Sequence, residues 1–381
     1  THSIIYQKQL DQHELIIHVI HLLKELDRLV KGKDLVFIYT AASIQSEILY
    51  HLSKNYKIKF ACMNETRIGY YWSMTDNTLD KHNLIHERYT EGVVTKKGSE
   101  LLKTYKQNLL KNKKNIIEDD YQKSVVNTKR LNIKNLLRMI VNLIRFSSGD
   151  IHYLAPNRKQ RIISNIILKY RQKASYKYFN KNVPENKYVY FPLSMIPEAS
   201  TLIRGTKYYN QISTIKSLSL ELPIHWKLVI KEHPSMIGKN PISFYKEINR
   251  IFNVVLLHST FPSKDVIDKS EAVITVTGTT GLEALVLGKK TIVLGSSIYS
   301  GLESVFKVES ISEIGDILRN AWTELDIEKQ EKDMMLFASS LASADTFEDP
   351  DEILWTKKAF NPEMNQVDIN IYNALMRKLS W

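Results

Sequence analysis

The chain has 381 residues, 43% of them hydrophobic and 25% charged, a composition typical of a globular protein with a sizeable core and room for two domains. Its single cysteine, Cys62, excludes a disulfide framework and any zinc or iron–sulfur site built from several cysteines, and it favours a reducing cytoplasm. No apolar run approaches the ~20 residues needed to cross a bilayer, and the first residues lack the pattern of a secretory signal.

The formal net charge of +12 is concentrated in one stretch of the chain. Residues 129–181 contain 13 lysines and arginines and one acid, Asp150, so this stretch alone carries +12. The remainder of the chain is neutral overall. The basic stretch therefore needs a local explanation.

The sequence pattern of the N-terminal part predicts a helix within the first thirty residues, followed by a βαβ unit. Apolar strands are expected at 35–39 and 58–63, with a helix at about 43–52 between them. Residues 75–128 are polar and rich in lysine and asparagine, which favours several separate helical pieces.

A basic amphipathic helix is predicted over 133–144, where apolar residues repeat at helical spacing and Arg138 and Arg145 lie off the apolar stripe. A second helix at about 161–176 continues the basic character. Two interpretations stay open. Either the stripe packs into the domain core and the cations are solvated, or the helix docks on an anionic membrane surface or an anionic glycan.

From about residue 185 the chain alternates between short apolar strands and helices, the pattern of an open, doubly wound parallel sheet. The predicted strands are 188–192, 226–230, 254–257, 272–276 and 291–294, and the predicted helices are 212–220, 244–252, 263–269, 281–287 and 311–322. We expect an N-terminal domain at 1–184 with a basic helical insert at about 129–181, a C-terminal domain at 185–325, and a helical return segment at 326–381.

A Gly/Thr loop follows one of these strands and leads directly into a helix. Ligands of doubly wound sheets bind beyond the carboxyl ends of the strands. Free backbone N–H groups, threonine hydroxyls and the helix dipole together favour a phosphate at such a loop. Glu283, expected in the first helical turn, could accept hydrogen bonds from ribose hydroxyls. The structural alternative is that the threonines cap the helix and Glu283 complements its dipole. The residues of this candidate phosphate site are Thr277, Gly278, Thr279, Thr280 and Gly281.

A second strand ends in Lys231-Glu-His-Pro. His233 could donate a hydrogen bond to a phosphate or, when protonated, neutralise the charge of a leaving group. Pro234 fixes the exit of the chain from the strand. Lys231 is a further candidate for contact with the nucleotide, although it could equally pair with Glu232.

A third strand end carries Glu198 in a loop that we expect to face the cleft between the domains. A carboxylate there could act as a general base or as a nucleophile. Alternatively, Glu198 is an acid near the N-terminus of a helix.

In combination, these motifs resemble the capsule polysaccharide biosynthesis family, which includes the bacterial Kdo transferases that build capsule and lipopolysaccharide linkers. The resemblance covers about 188–299, with a weaker match at Asn64-Glu-Thr-Arg-Ile68. It rests on Tyr190-Phe-Pro-Leu-Ser, Pro197-Glu-Ala-Ser-Thr, Asn210-Gln211, Lys231-Glu-His-Pro and Thr277-Gly-Thr-Thr-Gly-Leu-Glu-Ala-Leu-Val-Leu-Gly-Lys.

The resemblance implies a GT-B glycosyltransferase, an α/β protein with two Rossmann-like doubly wound parallel-sheet domains and a cleft between them. It implies that His233-Pro234 is the HP motif that holds the phosphate of a CMP-activated acidic sugar. Thr279-Thr280 stands where a Ser-Ser or Ser-Thr pair is common, and Glu283 would bind the ribose. Glu198 falls where Kdo transferases place a catalytic carboxylate, usually Asp.

On the acceptor side, Glu65 is the candidate carboxylate and Arg67 the candidate clamp for a sugar carboxylate, with a surface ion pair as the alternative interpretation. The basic stretch is expected to hold an anionic or lipid-linked glycan acceptor. Its candidate contacts are Arg138, Arg145, Arg158 and Lys159.

We therefore expect a cytoplasmic glycosyltransferase, peripheral on the inner membrane, that moves Kdo or a nonulosonic acid such as pseudaminic acid from CMP to capsule or lipopolysaccharide. No cofactor and no metal are expected, because CMP is a good leaving group and no convincing Asp-X-Asp site is present. One alternative is a GT-B transferase or epimerase that uses a UDP- or GDP-sugar, and another is a non-catalytic glycan-binding relative. A third is a nucleic-acid-binding protein, suggested by tyrosines among the basic residues. No nucleic-acid-binding motif is present, so we expect no nucleic-acid partner.

Overall fold

The chain folds around two β-sheets, one built mainly from its N-terminal part and one from its C-terminal part. The computed structural model describes residues 12–68, 71–111, 158–319, 326–342 and 346–348. The helix predicted at 133–144, with Arg138 and Arg145, lies outside the described residues.

The described strands are β1 (Leu35–Ile38), β2 (Lys59–Glu65), β3 (Tyr71–Thr75), β4 (Tyr188–Pro192), β5 (Lys227–Lys231), β6 (Val254–Leu257), β7 (Ala272–Thr275), β8 (Lys290–Val293), β9 (Val305–Lys307) and β10 (Thr346–Glu348). The described α-helices are α1 (Gln12–Val30), α2 (Ile44–Asn55), α3 (Asn83–Thr90), α4 (Lys96–Lys111), α5 (Arg158–Ser175), α6 (Ala199–Leu202), α7 (Gln211–Glu221), α8 (Ile242–Ile248), α9 (Ser263–Asp268), α10 (Thr279–Val286), α11 (Glu313–Arg319) and α12 (Ile327–Leu341). Short 3-10 turns occupy Tyr176–Tyr178, Thr206–Tyr208 and Pro234–Met236.

The first sheet has the strand order β1-β2-β3-β10. β1 and β2 are parallel, and α2 connects them as the predicted βαβ unit. Ser43 begins α2 with a reciprocal capping box, because its side chain accepts from the Ser46 N–H while the Ser46 side chain accepts from the Ser43 N–H. β3 and β10 pair antiparallel with their neighbours, so this sheet is mixed where the sequence predicts a parallel one.

The second sheet is parallel throughout, with the strand order β6-β5-β4-β7-β8-β9. The chain proceeds outward from β4 to β6, returns to β7 beside β4, and then proceeds outward in the other direction. The order therefore reverses between β4 and β7. All four residues of β7 and of β8 are buried, as expected for parallel strands covered by helices on both faces. The α/β fold class predicted from the sequence is confirmed.

The described part of the C-terminal segment connects the second sheet back to the first. α12 packs against α3, α4 and α10, and β10 pairs with β3. The buried Asp333 of α12 accepts hydrogen bonds from the Tyr89 hydroxyl of α3 and from the Ser304 N–H at 2.9 Å. This segment thus closes the first sheet with residues from the far end of the chain.

Helix α5 contacts elements of the second sheet's part of the chain. It packs on α8, and Arg171 and Gln172 donate to backbone carbonyls of the loop after β5. Asn180, just beyond α5, forms a parallel bridge with Leu257 of β6. The described residues from 158 to 180 thus contact the C-terminal part, while the domain boundary near residue 184 remains a prediction.

Within the described ranges, no helix is both long enough and apolar enough to cross a membrane.

The crossing of α4 over α12 gives a testable prediction about stability. A Cβ added at Gly98 would overlap the backbone of Ser339, so Gly98→Ala forces the two helices apart. We expect Gly98→Ala to lower the free energy of unfolding by about 1–3 kcal/mol, despite the higher helix propensity of alanine. The measurement is urea unfolding of both proteins. Gly301→Ala is the control, because its Cβ would make only an ordinary contact with His86 at 3.6 Å. A Gly98→Ala variant as stable as the parent would contradict the close crossing.

Candidate functional site

A cavity of about 430 Å³ opens between the two sheets. It lies at the carboxyl ends of β4 and β7, which flank the point where the strand order reverses, and doubly wound sheets bind ligands at this point. One wall comes from the first sheet and the other from the second. The polar residues on the two walls are Thr40, Asn64, Glu65, Arg67, Ser194, Glu198, Ser200, Arg204, His233, Thr275, Thr277, Thr279 and Thr280.

The N-terminus of α10 faces the cavity through Thr279 and Thr280, as the sequence predicts. Their backbone N–H groups have no acceptor within the helix, because they belong to its first turn. Gly278 is the N-cap, and its N–H donates to the Thr275 hydroxyl at 3.0 Å. The buried Thr277 hydroxyl has no hydrogen-bond partner among the described residues. This turn therefore offers two amides, a hydroxyl and the positive end of a helix dipole to an anionic ligand.

Gly281, predicted as a nucleotide contact, packs against Tyr299. It does not line the cavity, and a Cβ there would lie 2.5 Å from the Tyr299 hydroxyl oxygen. That hydroxyl donates to the Gly278 carbonyl. Gly281 thus leaves room for Tyr299 to brace the turn from behind.

His233 lines the cavity from the end of β5. Its Nδ1 accepts the Ser235 N–H at 3.1 Å, and Pro234 begins the 3-10 turn that places Ser235 there. Burial lowers the pKa of His233, although the negative charge of Glu198 opposes the effect. A neutral ring whose Nδ1 is an acceptor carries its proton on Nε2. His233 is therefore arranged as a hydrogen-bond donor to a ligand, a state that requires no positive charge.

Lys231, predicted as a nucleotide contact, is not among the residues that line the cavity. Its side chain is buried, and Nζ donates to the Phe261 carbonyl at 3.0 Å and to the Ser263 hydroxyl at 2.6 Å. The ammonium group holds the loop between β6 and α9.

Glu232 anchors the loop that carries His233. Its buried carboxylate accepts from the Tyr245 hydroxyl of α8 and from the Asn240 side chain at 3.4 Å. Burial raises the pKa of Glu232 to about 7, against the opposing effect of these two hydrogen bonds. The sequence does not reveal this role, because the carboxylate and its partners meet only after β5 and α8 pack together.

Helix α5 holds the same loop from outside. Arg171 donates to the Lys239 carbonyl at 3.1 Å, and Gln172 donates to the Ile237 carbonyl at 3.5 Å. Gly238 has a φ of +75°, and a Cβ there would lie 2.6 Å from the Leu168 carbonyl oxygen. The loop therefore needs glycine both for its backbone conformation and for its contact with α5.

Two arginines and one aspartate connect the walls of the cavity. Asp80 of the first sheet's domain is 1% exposed, and its Oδ2 accepts from Arg67 at 3.2 Å and from Arg204 at 3.1 Å. Arg204 comes from the loop after α6, and it also donates to the Asn64 side chain at 3.1 Å. Arg67 donates to the Thr277 carbonyl of the other wall. No sequence motif marks Asp80 or Arg204, because nothing in the local sequence indicates a partner 124 residues away.

Asp80, Arg67 and Arg204 by themselves carry one excess positive charge, because two guanidinium groups share one carboxylate, and the carboxylates of Glu65 and Glu198 line the same cavity. Burial alone would raise the pKa of Asp80, but the hydrogen bond with His82 and the charges of both arginines outweigh it and hold that pKa below its ordinary value. Burial lowers the pKa of Arg204, and the Asp80 charge opposes that shift. Arg67, predicted as a free clamp for a sugar carboxylate, uses both terminal nitrogens within the protein while still lining the cavity.

Two predicted carboxylates face the cavity from opposite walls. Glu65 ends β2, and Glu198 precedes α6 in the loop after β4. Both side chains are exposed. The Glu198 carboxylate accepts from the Ser200 hydroxyl at 2.8 Å. Each carboxylate is therefore placed to accept a proton from a group bound in the cavity.

Glu283 and the basic residues are placed differently from the prediction. Glu283 is the fifth residue of α10, beyond the first turn, and it does not line the cavity. Arg158 and Lys159 belong to α5, which lies against the second sheet, and their side chains are outside the described part of the structure.

Comparison with solved structures gives distant similarities. The chain is 13% identical to Thermosulfurimonas dismutans KpsC, beta Kdo 2,7 transferase, with 87% of this chain and 88% of that chain covered and a TM-score of 0.38. The beta Kdo 2,4 transferase of KpsC from the same organism gives 12% identity, coverage of 90% and 88%, and a TM-score of 0.37. A UDP-GlcNAc 2-epimerase from Neisseria meningitidis gives 15% identity, coverage of 97% and 84%, and a TM-score of 0.31. No curated protein sequence matches the chain.

A family model for capsule polysaccharide biosynthesis proteins matches residues 103–303, which is more than half of the chain. The matched region contains the loop with Glu198, the His233-Pro234 turn and the N-terminus of α10, which together form one wall of the cavity. The chain belongs to the capsule polysaccharide biosynthesis protein family.

Proposed function

We propose that this protein is a GT-B glycosyltransferase that moves an acidic 2-keto sugar from a CMP-activated donor to a growing bacterial surface polysaccharide, capsule or lipopolysaccharide. The sugar class is Kdo or a nonulosonic acid such as pseudaminic acid. The observation that carries the proposal is the pair of guanidinium groups, Arg67 and Arg204, that share the Asp80 carboxylate at the cavity beside the N-terminus of α10. Membership of the family supports a role in capsule polysaccharide synthesis.

The donor phosphate binds between α10 and His233. The amides of Thr279 and Thr280 and the helix dipole favour a negative charge at this point, and the Nε2–H of His233 donates to it. These contacts strengthen as the phosphate gains charge on leaving, so they stabilise the transition state more than the ground state. Glu283, in the second turn of α10, remains a proposed ribose contact.

The acidic sugar is recognised by the positive charge of the cluster around Asp80. A cavity wall with an excess guanidinium group favours an anionic ligand, since a low local dielectric strengthens the attraction. Arg204 and Arg67 both line the cavity, so a donor with a phosphate and a sugar carboxylate presents one anion to α10 and the other to the arginines.

In the transfer step, the acceptor hydroxyl forms a bond to the anomeric carbon of the donor sugar while the bond from that carbon to the phosphate oxygen breaks. CMP leaves with the electron pair, and the hydroxyl proton passes to a carboxylate. Glu198 and Glu65 are the candidates for this base. The positive end of the α10 dipole and the donated Nε2–H of His233 stabilise the departing phosphate, and we propose that the reaction requires neither a metal nor a cofactor.

The acceptor is an anionic or lipid-linked glycan, and the protein acts at the cytoplasmic face of the inner membrane. The basic stretch supports this part of the proposal because the +12 of residues 129–181 would attract an anionic acceptor.

The nucleotide preference tests the proposal directly. We expect CMP to raise the unfolding temperature and to bind in calorimetry, while UDP and GDP bind at least tenfold more weakly. A CMP-sugar transfer assay then identifies the sugar. If UDP stabilises the protein and CMP does not, the CMP-sugar proposal is wrong and a UDP-sugar transferase or epimerase replaces it.

A matched pair of histidine variants tests the phosphate site. We expect His233→Ala to weaken CMP binding at least tenfold, because a hydrogen bond to a charged group contributes about 1.5–3 kcal/mol. His258→Ala is the control. His258 follows the neighbouring strand and also accepts a backbone N–H through Nδ1, but it does not line the cavity. Equal losses in both variants, measured by calorimetry, would argue against a direct phosphate contact.

The pKa of Glu232 predicts how stability depends on pH. A carboxyl group whose pKa is raised to about 7 in the folded state stabilises the fold most below its unfolded value of 4.5, and this contribution is lost as the pH rises through about 7. From about pH 5 to about pH 8 we expect the parent to lose roughly 3 kcal/mol more unfolding free energy than Glu232→Gln. Urea unfolding across this range gives the slopes. The exposed Glu185→Gln variant should keep the parent slope, and an unchanged slope in Glu232→Gln would contradict the prediction.

A further inference from the structure

Helix α5 carries apolar residues on its outward side as well as on its inner side. The side that packs on the protein combines the buried Ser164 and Ser175 and the bonded Arg171 and Gln172 with the half-buried Ile167 and Leu168. Its outward side carries large apolar residues. An ordinary surface helix keeps its apolar residues against the core and its polar residues outside.

The outward side of α5 has a defined apolar stripe. Ile163, Ile166 and Tyr170 are spaced by three and four residues, so they share one face of the helix. They are 56%, 60% and 68% exposed. Lys169 and Lys173 are exposed and lie one turn apart along the edge of the same stripe. We call these five residues the α5 outer face.

The charge of α5 is uniformly positive. The helix contains six lysines and arginines and no acid. Apolar side chains flanked by cations, with a tyrosine whose ring is apolar and whose hydroxyl is polar, are the combination found in helices that lie in the headgroup region of a bilayer. A polyanionic glycan or nucleic acid would use the lysines, but it would leave the isoleucines in water.

We propose that the α5 outer face docks on an anionic lipid bilayer, with α5 lying parallel to the surface. The isoleucines and Tyr170 enter the boundary between headgroups and acyl chains, and Lys169 and Lys173 contact anionic headgroups. Because the inner face of α5 holds the loop of His233, docking places the candidate site close to the membrane. This inference rests on the proposed function only in placing the enzyme's site near the membrane. Lipid binding itself requires no catalytic step.

The test is co-sedimentation of the full chain with vesicles of phosphatidylcholine alone or mixed with phosphatidylglycerol. We expect binding to the mixed vesicles and at least tenfold weaker binding to the neutral ones. Ile166→Ser with Tyr170→Ser, and separately Lys169→Glu with Lys173→Glu, should each lower the partition coefficient for mixed vesicles at least tenfold. The apolar control is Leu220→Ser with Phe252→Ser, two residues that are 83% and 87% exposed on other elements, and it should bind as the parent does.

Several outcomes would overturn the inference. Unchanged vesicle binding in both α5 variants would show that another part of the chain docks. If the parent sediments as a dimer that Ile166→Ser with Tyr170→Ser dissociates, the face joins two copies of the chain. If only the Lys169→Glu, Lys173→Glu variant loses vesicle binding, and it loses binding to single-stranded DNA by the same factor, the face binds a polyanion. CMP binding, measured in parallel, should be unchanged in every variant. If the parent does not bind CMP, the proposed function is wrong, and the conclusion from vesicle binding is unaffected.

Discussion

The candidate site depends on one buried carboxylate. Asp80 binds Arg67 of its own domain and Arg204 of the other, and Arg67 continues to the Thr277 carbonyl beside α10. Removing one partner of such a cluster leaves a buried charge uncompensated, which typically costs about 3–5 kcal/mol. Asp80 and Arg67 also adopt left-handed backbone conformations, with φ values of 61° and 68°. The surrounding contacts must offset the strain of about 1–3 kcal/mol that each such residue introduces.

This arrangement explains why the cavity lies where it does and why two separate parts of its lining are suited to anionic groups. The second sheet supplies a reversal of strand order, a helix N-terminus and a neutral histidine, all typical of a phosphate site. The first sheet supplies Asp80, which neutralises only one of the two guanidinium groups. The two guanidinium groups around Asp80 and the unpaired Thr277 hydroxyl are therefore present in the protein before any ligand binds.

The position of α5 changes the interpretation of the net charge. Before the fold is known, the +12 of residues 129–181 suggests a basic insert on the acceptor side of the protein. The described part of that stretch instead packs on the second sheet and fixes the loop of His233 through Arg171 and Gly238. The cations of α5 differ in their placement. Arg171 stabilises the loop, whereas Lys169 and Lys173 are exposed to solvent.

The sequence by itself determined the features that are local in the chain. The alternation of strands and helices from residue 185, the Gly/Thr turn at the start of α10 and the His233-Pro234 turn can be predicted because their signals lie within about ten residues. Glu65 and Glu198 could be predicted as candidates because each follows a predicted strand. Only the tertiary structure decided that Lys231 bonds to the loop after β6, that Gly281 packs against Tyr299, that Glu283 lies beyond the first turn, and that β3 and β10 make the first sheet mixed. It also decided that Asp80 and Arg204, which no motif marks, join the two walls. The physical reason is that hydrogen bonds, desolvation and ion pairing depend on which residues the packed sheets bring together, and neither periodicity nor spacing along the chain encodes those partners.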